Sequence, residues 1–287
     1  MRTFEKILCP VDFSEGSVKS LQWAQAMAKK YEAEIVVLHV MSLYPAAPEL
    51  GINYEQYQSN ITNTLRDFAA PLSVKYERML STGDPANKIA ALAAGLDAGL
   101  IVMGTRGMQG TAHTLLGSVA ERVIRTATVP VMTVSPNCGA PAEEFKNEML
   151  LPLASLHRTP RGYVRLRRIS RELGGRVNFL HVVDYKDPMF DASFNASPFL
   201  VTTYSSVEKK EELARIGAGI IKNGNRGESI VQFGEVAEEV LKELDTHKYD
   251  FVLLGAKHKN FLTRFIETTT YKVISHSPVP VITIKVD

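Results

Sequence analysis

The feature that most constrains this chain is that it contains one unit twice. Lys6-Ile-Leu-Cys-Pro-Val-Asp12 resembles Glu148-Met-Leu-Leu-Pro-Leu-Ala154, with Pro152 lying 142 positions after Pro10. Ile35-Val-Val-Leu-His-Val40 resembles Val177-Asn-Phe-Leu-His-Val182 at the same offset, so His39 matches His181. Thr82-Gly-Asp-Pro-Ala86 matches Phe233-Gly-Glu-Val-Ala237, and Leu100-Ile-Val-Met-Gly104 matches Phe251-Val-Leu-Leu-Gly255, both at 151. Val129-Pro-Val131 recurs as Val279-Pro-Val281 at 150. Five matched segments in one order, with offsets drifting by at most nine, mark a duplicated unit. The boundaries expected from this are 1–137 and 146–287, with turn-rich Ser135-Pro-Asn-Cys-Gly-Ala-Pro141 as the linker.

Within each unit, short apolar runs alternate with stretches of helical period. In the first, strands are expected near 6–11, 34–40, 75–81, 99–103 and 130–134, and helices near 15–31, 54–70, 85–95 and 117–126. Ser14 is placed to cap the first helix, whose buried face should include Val18, Leu21, Ala24 and Ala28. Leu100-Ile-Val-Met103 is apolar throughout, as a strand covered on both faces must be. Alternating strands and helices imply a parallel sheet with right-handed crossovers. Such sheets take ligands at the carboxyl ends of the strands, where strand order reverses. Pro130 and Pro280 fall within the expected last strands, which should therefore be edges. Two such edges covering each other would make the chain an intrachain pseudo-dimer.

Composition narrows the function classes. The net charge of +2 over 287 residues offers no electrostatic footprint for nucleic acid or an anionic membrane. No apolar run reaches the roughly 18 residues that span a bilayer. Cys9 lies in an apolar run and reads as a small core residue; with only one further cysteine, Cys138, a reducing cytoplasm is the expected location.

The fourth strand runs straight into Gly104-Thr-Arg-Gly107, and nine residues later Gly117-Ser-Val119 opens a helix. Glycines admit close backbone approach, and a helix start offers free N–H groups with partial positive charge. Such glycines serve either turn geometry or a phosphate, and a short glycine pair alone does not choose.

The whole arrangement is more specific. G-x-x-G, nine residues, then G-[ST], resembles the nucleotide loop of universal stress proteins, as do Ile7-Leu-Cys-Pro-Val-Asp-Phe-Ser14, Leu38-His-Val40, Thr82-Gly-Asp-Pro85, Val119-Ala-Glu-Arg-Val123 and Val129-Pro-Val131. The resemblance covers the first unit and, more weakly, the second. It implies two tandem doubly wound parallel-sheet α/β domains, Rossmann-like and of the adenine-nucleotide alpha hydrolase type, with five strands each in the order 3-2-1-4-5. It implies ATP, accompanied by Mg²⁺, at the switch point of the first unit. Gly104, Gly107, Gly117 and Ser118 would hold phosphates, with Val119 following at the helix start. Pro10, Val11 and Asp12 end the first strand beside adenine or ribose. Val40 would meet adenine through its backbone, Met103 would line the pocket, and Arg106 would meet phosphate or solvent. The resemblance also admits a homodimer.

The second unit departs from this pattern. Gly255-Ala-Lys-His258 replaces G-x-x-G, Phe265-Ile-Glu-Thr-Thr-Thr270 has no glycine, and Ala154 stands for Asp12. The 146–287 half is therefore expected to be degenerate and to hold no ATP in the same pose. Lys257, His258 and Lys259 form either a solvated loop or a residual anion or metal site. Arg158, Arg161, Arg165 and Arg168 form either a solvated helix face or a docking face for an acidic partner. The connections 43–54 and 189–203 are long, the latter apolar, and either could lie over a cleft. Two function classes stay open: a nucleotide-dependent stress or signalling module, or a slow ATPase or autophosphorylating enzyme using the same site. No G-x-x-x-x-G-K-[ST] loop and no identifiable general base favour the first.

Overall fold

Apolar runs of strand length, alternating with helices, build the same element series twice. A computed structural model describes residues 4–42, 53–107, 116–153, 163–184, 198–221, 225–256 and 264–285. The chain divides into two units, Met1–Pro136 and Asn137–Asp287.

The first unit runs β1 (Lys6–Pro10), α1 (Glu15–Tyr31), β2 (Glu34–Met41), α2 (Tyr54–Ala69), β3 (Tyr76–Thr82), α3 (Pro85–Gly95), β4 (Leu100–Gly104), α4 (Ser118–Thr126) and β5 (Val131–Val134). Its strands are parallel in the order β3-β2-β1-β4-β5, with Ile7 opposite Ile35 on one side and Leu100 on the other. Ile7, Leu8, Ile35, Leu38, Leu100 and Ile101 are fully buried, so the central strands form the core. Cys9 joins them, and burial pushes its thiol up to about 12 against a weaker opposing hydrogen bond with Ser20.

The second unit runs β6 (Glu148–Pro152), α5 (Val164–Leu173), β7 (Arg176–Val183), α6 (Pro198–Ile220), β8 (Arg226–Phe233), α7 (Val236–Thr246), β9 (Phe251–Ala256), α8 (Arg264–His276) and β10 (Val281–Lys285). Its order is β8-β7-β6-β9-β10, the same 3-2-1-4-5 when counted within the unit. Both halves are thus doubly wound parallel-sheet α/β units, as the resemblance implied. Two polar devices recur in them. His39 Nδ1 donates to the Val11 carbonyl at 2.8 Å, and His181 Nδ1 donates to the Leu153 carbonyl at 2.8 Å. Asp84 caps α3 through the Asn87 amide and is gripped by both Arg122 terminal nitrogens, at 2.8 and 2.9 Å. Glu235 caps α7 through the Glu238 amide, and Lys272 of α8 reaches Glu235 and Glu238 at 3.4 and 3.2 Å.

Two expectations need correction. Val18 is 42% exposed, whereas Ser17, Ser20, Leu21, Ala24, Met27 and Ala28 are buried. The buried stripe is set by Ser17, which is drawn inward by its bonds to Asp12; Val18 lies one residue, or about 100°, further round. Pro130 and Pro280 stand just before β5 and β10 rather than inside them. Their carbonyls accept from the Ile101 and Val252 amides, so the first rung needs no proline N–H. Arg165 and Arg168 are exposed, with Arg168 paired to Glu172 at 3.1 Å. Arg158, Arg161, Ala154, Lys257, His258, Lys259 and most of both long connections lie outside the described residues. Among the described residues, no helix is long and apolar enough to cross a membrane.

Candidate functional site

Chain order reverses at β1, which has β2 on one side and β4 on the other. The segments that follow β1 and β4 are thereby brought side by side at the carboxyl edge of the first unit's sheet. Three glycines let them touch. A β-carbon on Gly104 would stand 3.1 Å from the Gly16 backbone, and one on Gly16 would stand 2.7 Å from the Arg106 carbonyl oxygen. A β-carbon on Gly107 would collide with Asp12 Oδ2. Gly104 and Gly107 therefore have a packing reason to be glycine, whatever else they serve.

Asp12 is fixed by the start of α1. Its Oδ1 accepts from the Ser14 amide at 3.1 Å, the Ser14 hydroxyl at 2.6 Å and the Ser17 hydroxyl at 2.7 Å. Ser14 also caps α1, as expected from the sequence, by accepting from the Ser17 amide at 3.3 Å. Phe13 is forced into the left-handed region at φ 67°, a conformation uncommon for a bulky residue. Its ring stacks on His39 at 4.5 Å and meets Phe68 edge-on at 5.5 Å.

The other wall is the start of α4. Gly117 is its N-cap and has no side chain to satisfy the first turn; its own amide donates to the Thr105 carbonyl at 2.8 Å. The first bond of the helical series runs from the Glu121 amide to the Gly117 carbonyl. The amides of Ser118, Val119 and Ala120 therefore have no hydrogen-bond partner among the described residues, and they carry the positive end of the helix dipole. Beside them, Arg106 Nε and Thr105 Oγ1 are buried and also lack a partner among the described residues. Orphaned buried polar groups are uncommon in folded proteins.

The expected site residues fall on this edge in two groups. Asp12, Gly104, Arg106, Gly107, Gly117, Ser118 and Val119 lie on the two facing segments, with Ser118 exposed and Val119 half-buried. Val40 is half-buried near the end of β2. Pro10 and Val11 are buried, and Met103 is only 5% exposed within β4, so these three form structure beneath the edge. Gly16, Ser17 and Thr105 were not singled out from the sequence. A glycine inside the first turn of a long helix, where alanine is worth about 1 kcal/mol more, is the signal that marks Gly16. Among the described residues no group of three or more His, Cys, Asp or Glu could hold a metal ion.

The universal stress protein family model matches residues 3–135 and again residues 162–285. The chain belongs to that family. A universal stress protein of Methanocaldococcus jannaschii, MJ0531, is 34% identical over 142 residues, which is 46% of this chain and 82% of the relative. YxiE of Bacillus subtilis is 32% identical over 146 residues, 46% of this chain and 99% of its own length. Each relative thus corresponds to about half of this chain. A solved universal stress protein from Archaeoglobus fulgidus matches the fold along 99% of both chains, with a TM-score of 0.67 at 22% identity.

The two universal stress units differ at this edge. In the second, Gly255 is exposed at the end of β9, and α8 starts at Arg264. Thr268, the residue matching Gly117, lies past the first turn of α8, where helical geometry pairs its amide with the carbonyl four residues back. The bare helix start of the first unit has no counterpart at that position.

Proposed function

We propose that the first unit binds ATP, with Mg²⁺ carried on its phosphates, and that the protein works as a nucleotide-dependent stress-response or signalling module. The observation that carries this reading is the donor set at the start of α4. Three open amides stand at a glycine N-cap whose own amide is held by the Thr105 carbonyl, next to the Arg106 backbone. Amides at a helix start together with arginine are suited to a phosphate chain. In this reading Ser118, Val119, Gly104, Gly107 and Arg106 hold the phosphates. Asp12 faces donor groups of the sugar, Val40 offers its backbone to the adenine, and Met103 underlies the pocket. An ATPase role would need a general base at the terminal phosphate, and Asp12, with one oxygen saturated and the other against Gly107, is poorly set for it. Both cysteines are buried and neither is in a disulfide, which fits a reducing cytoplasm.

The test is mass spectrometry of nucleotide released from the purified chain, compared with Ser118→Glu. Ser118 is exposed at the first helical position, where an acidic residue suits the dipole and spares the fold, yet it would repel a triphosphate. ATP released from the wild type, with at least about tenfold less from the variant at unchanged melting temperature, is the expected result. Full retention of ATP by the variant would refute the site, and release of AMP or FAD would redirect the ligand.

A further inference from the structure

Helix α4 is short and its N-cap has no side chain, so its direction must be set elsewhere. Burial of Ala120, Val123 and Ile124 decides which face lies down, but apolar contact is non-directional and does not fix where the first turn points. Two polar ties do. At the front, the Gly117 amide donates to the Thr105 carbonyl at 2.8 Å. One turn on, about 6 Å along the axis from Ser118, both terminal nitrogens of Arg122 donate to Asp84, at 2.8 and 2.9 Å, and one also reaches Asn87 Oδ1 at 3.4 Å. Asp84 is itself anchored, because its Oδ1 caps α3 by accepting from the Asn87 amide at 3.0 Å. A planar fork on a carboxylate fixes an angle as well as a distance. The second unit joins the matching helices, α7 and α8, through the Lys272 ammonium, at 3.4 Å from Glu235 and 3.2 Å from Glu238. An ammonium is a point charge on a flexible stem and fixes no angle. The rigid tie thus lies in the unit that has the bare helix start. With side chains 39% and 42% exposed, the fork adds little to folding, so its geometry is its more informative property.

We infer that Arg122 is a positioning residue whose fork to Asp84 aims the first-turn amides of α4 at the phosphates, so that it governs the phosphate share of nucleotide affinity and not the nucleoside share. This rests on the ATP reading of the first unit. A hydrogen bond weakens steeply as its angle closes, so a small rotation of α4 loosens the amides of Ser118, Val119 and Ala120 together. Arg122 acts only through the helix that carries them.

The experiment is NMR titration of the full chain with ATP and Mg²⁺, and separately with adenosine, for the wild type, Arg122→Lys and Asp84→Asn. Arg122→Lys keeps a charge pair of the kind the second unit uses and removes the fork. It should weaken ATP about tenfold, the scale of one hydrogen bond to a charged group, and leave adenosine within about twofold. In the same spectra the ATP-induced shifts of the Ser118, Val119 and Ala120 amides should shrink, while that of the Val40 amide persists. Asp84→Asn keeps an acceptor for the α3 cap and opens the fork from its other side. It should move ATP the same way, and it stands in if Arg122→Lys does not fold. A fork that only holds the unit together would weaken both ligands, or shrink the shifts at both ends, alike. That outcome overturns the inference, as does an unchanged affinity for ATP. A wild type that binds no ATP sinks the site reading, and this inference with it.

Discussion

Residue Gly16 sets two effects against each other. Alanine there would gain about 1 kcal/mol of helix propensity. Its β-carbon would also stand 2.7 Å from the Arg106 carbonyl oxygen, a backbone atom that cannot rotate aside. Overpacking of this kind costs about 1–3 kcal/mol, so Gly16→Ala should destabilise the first unit by about 1 kcal/mol net. Gly95, at the end of α3, has nothing within 4 Å of a β-carbon, and Gly95→Ala should stabilise by up to about 1 kcal/mol. Urea unfolding followed through Trp23, the one tryptophan of the chain and a buried residue of α1, reads both changes. Opposite signs are expected; equal signs would show that the α1 contact is loose. At this scale the sequence was legible wherever a residue acts locally. Ser14 as a cap and Cys9 as core needed only their neighbours in the chain. Gly16 was not legible, because its constraint is a carbonyl 90 residues away, and Val18 was misplaced because Ser17 turns inward toward Asp12.

Helices α3 and α4 are joined by one fork, Arg122 to Asp84. The Arg122 hydrogen bonds, with the Asn87 amide, hold the Asp84 carboxyl below its usual range. The sign follows from linkage. A depressed folded value means that the unfolded chain binds the proton first, so the stabilisation is present above about pH 4 and is lost as pH falls through the lower folded value. Asp84→Asn should therefore melt below the wild type at neutral pH, and the gap should close on acidification below about pH 4. A gap that stays constant with pH would mean that the ion pair contributes nothing and only the cap matters. Asp84 followed by Pro85 at the first helical position could be read from sequence alone. Its partner could not, because periodicity assigns Arg122 to an exposed helix face without saying which helix it meets.

The chain as a whole is a duplicated universal stress fold with a bare helix start at the matched position in one unit only. Titration with ATP should therefore give one site per chain. Two equivalent sites would overturn the assignment of the second unit as degenerate. The duplication, the element order and the reversal at the first strand of each unit were legible because they depend on patterns spread over many residues. The orphaned Arg106 and Thr105 atoms were not, since burial without a partner is a property of three-dimensional packing. The glycine contact at the first unit's cleft has one more implication, for how such a chain can drift. Every change of a glycine, to any residue, adds a β-carbon, so mutation offers no small step at Gly16, Gly104 or Gly107. At each of the three, the added atom meets a neighbour that must shift to admit it. The second unit has Arg158 and His258 at the places of Gly16 and Gly107, and only Gly255 matches the third.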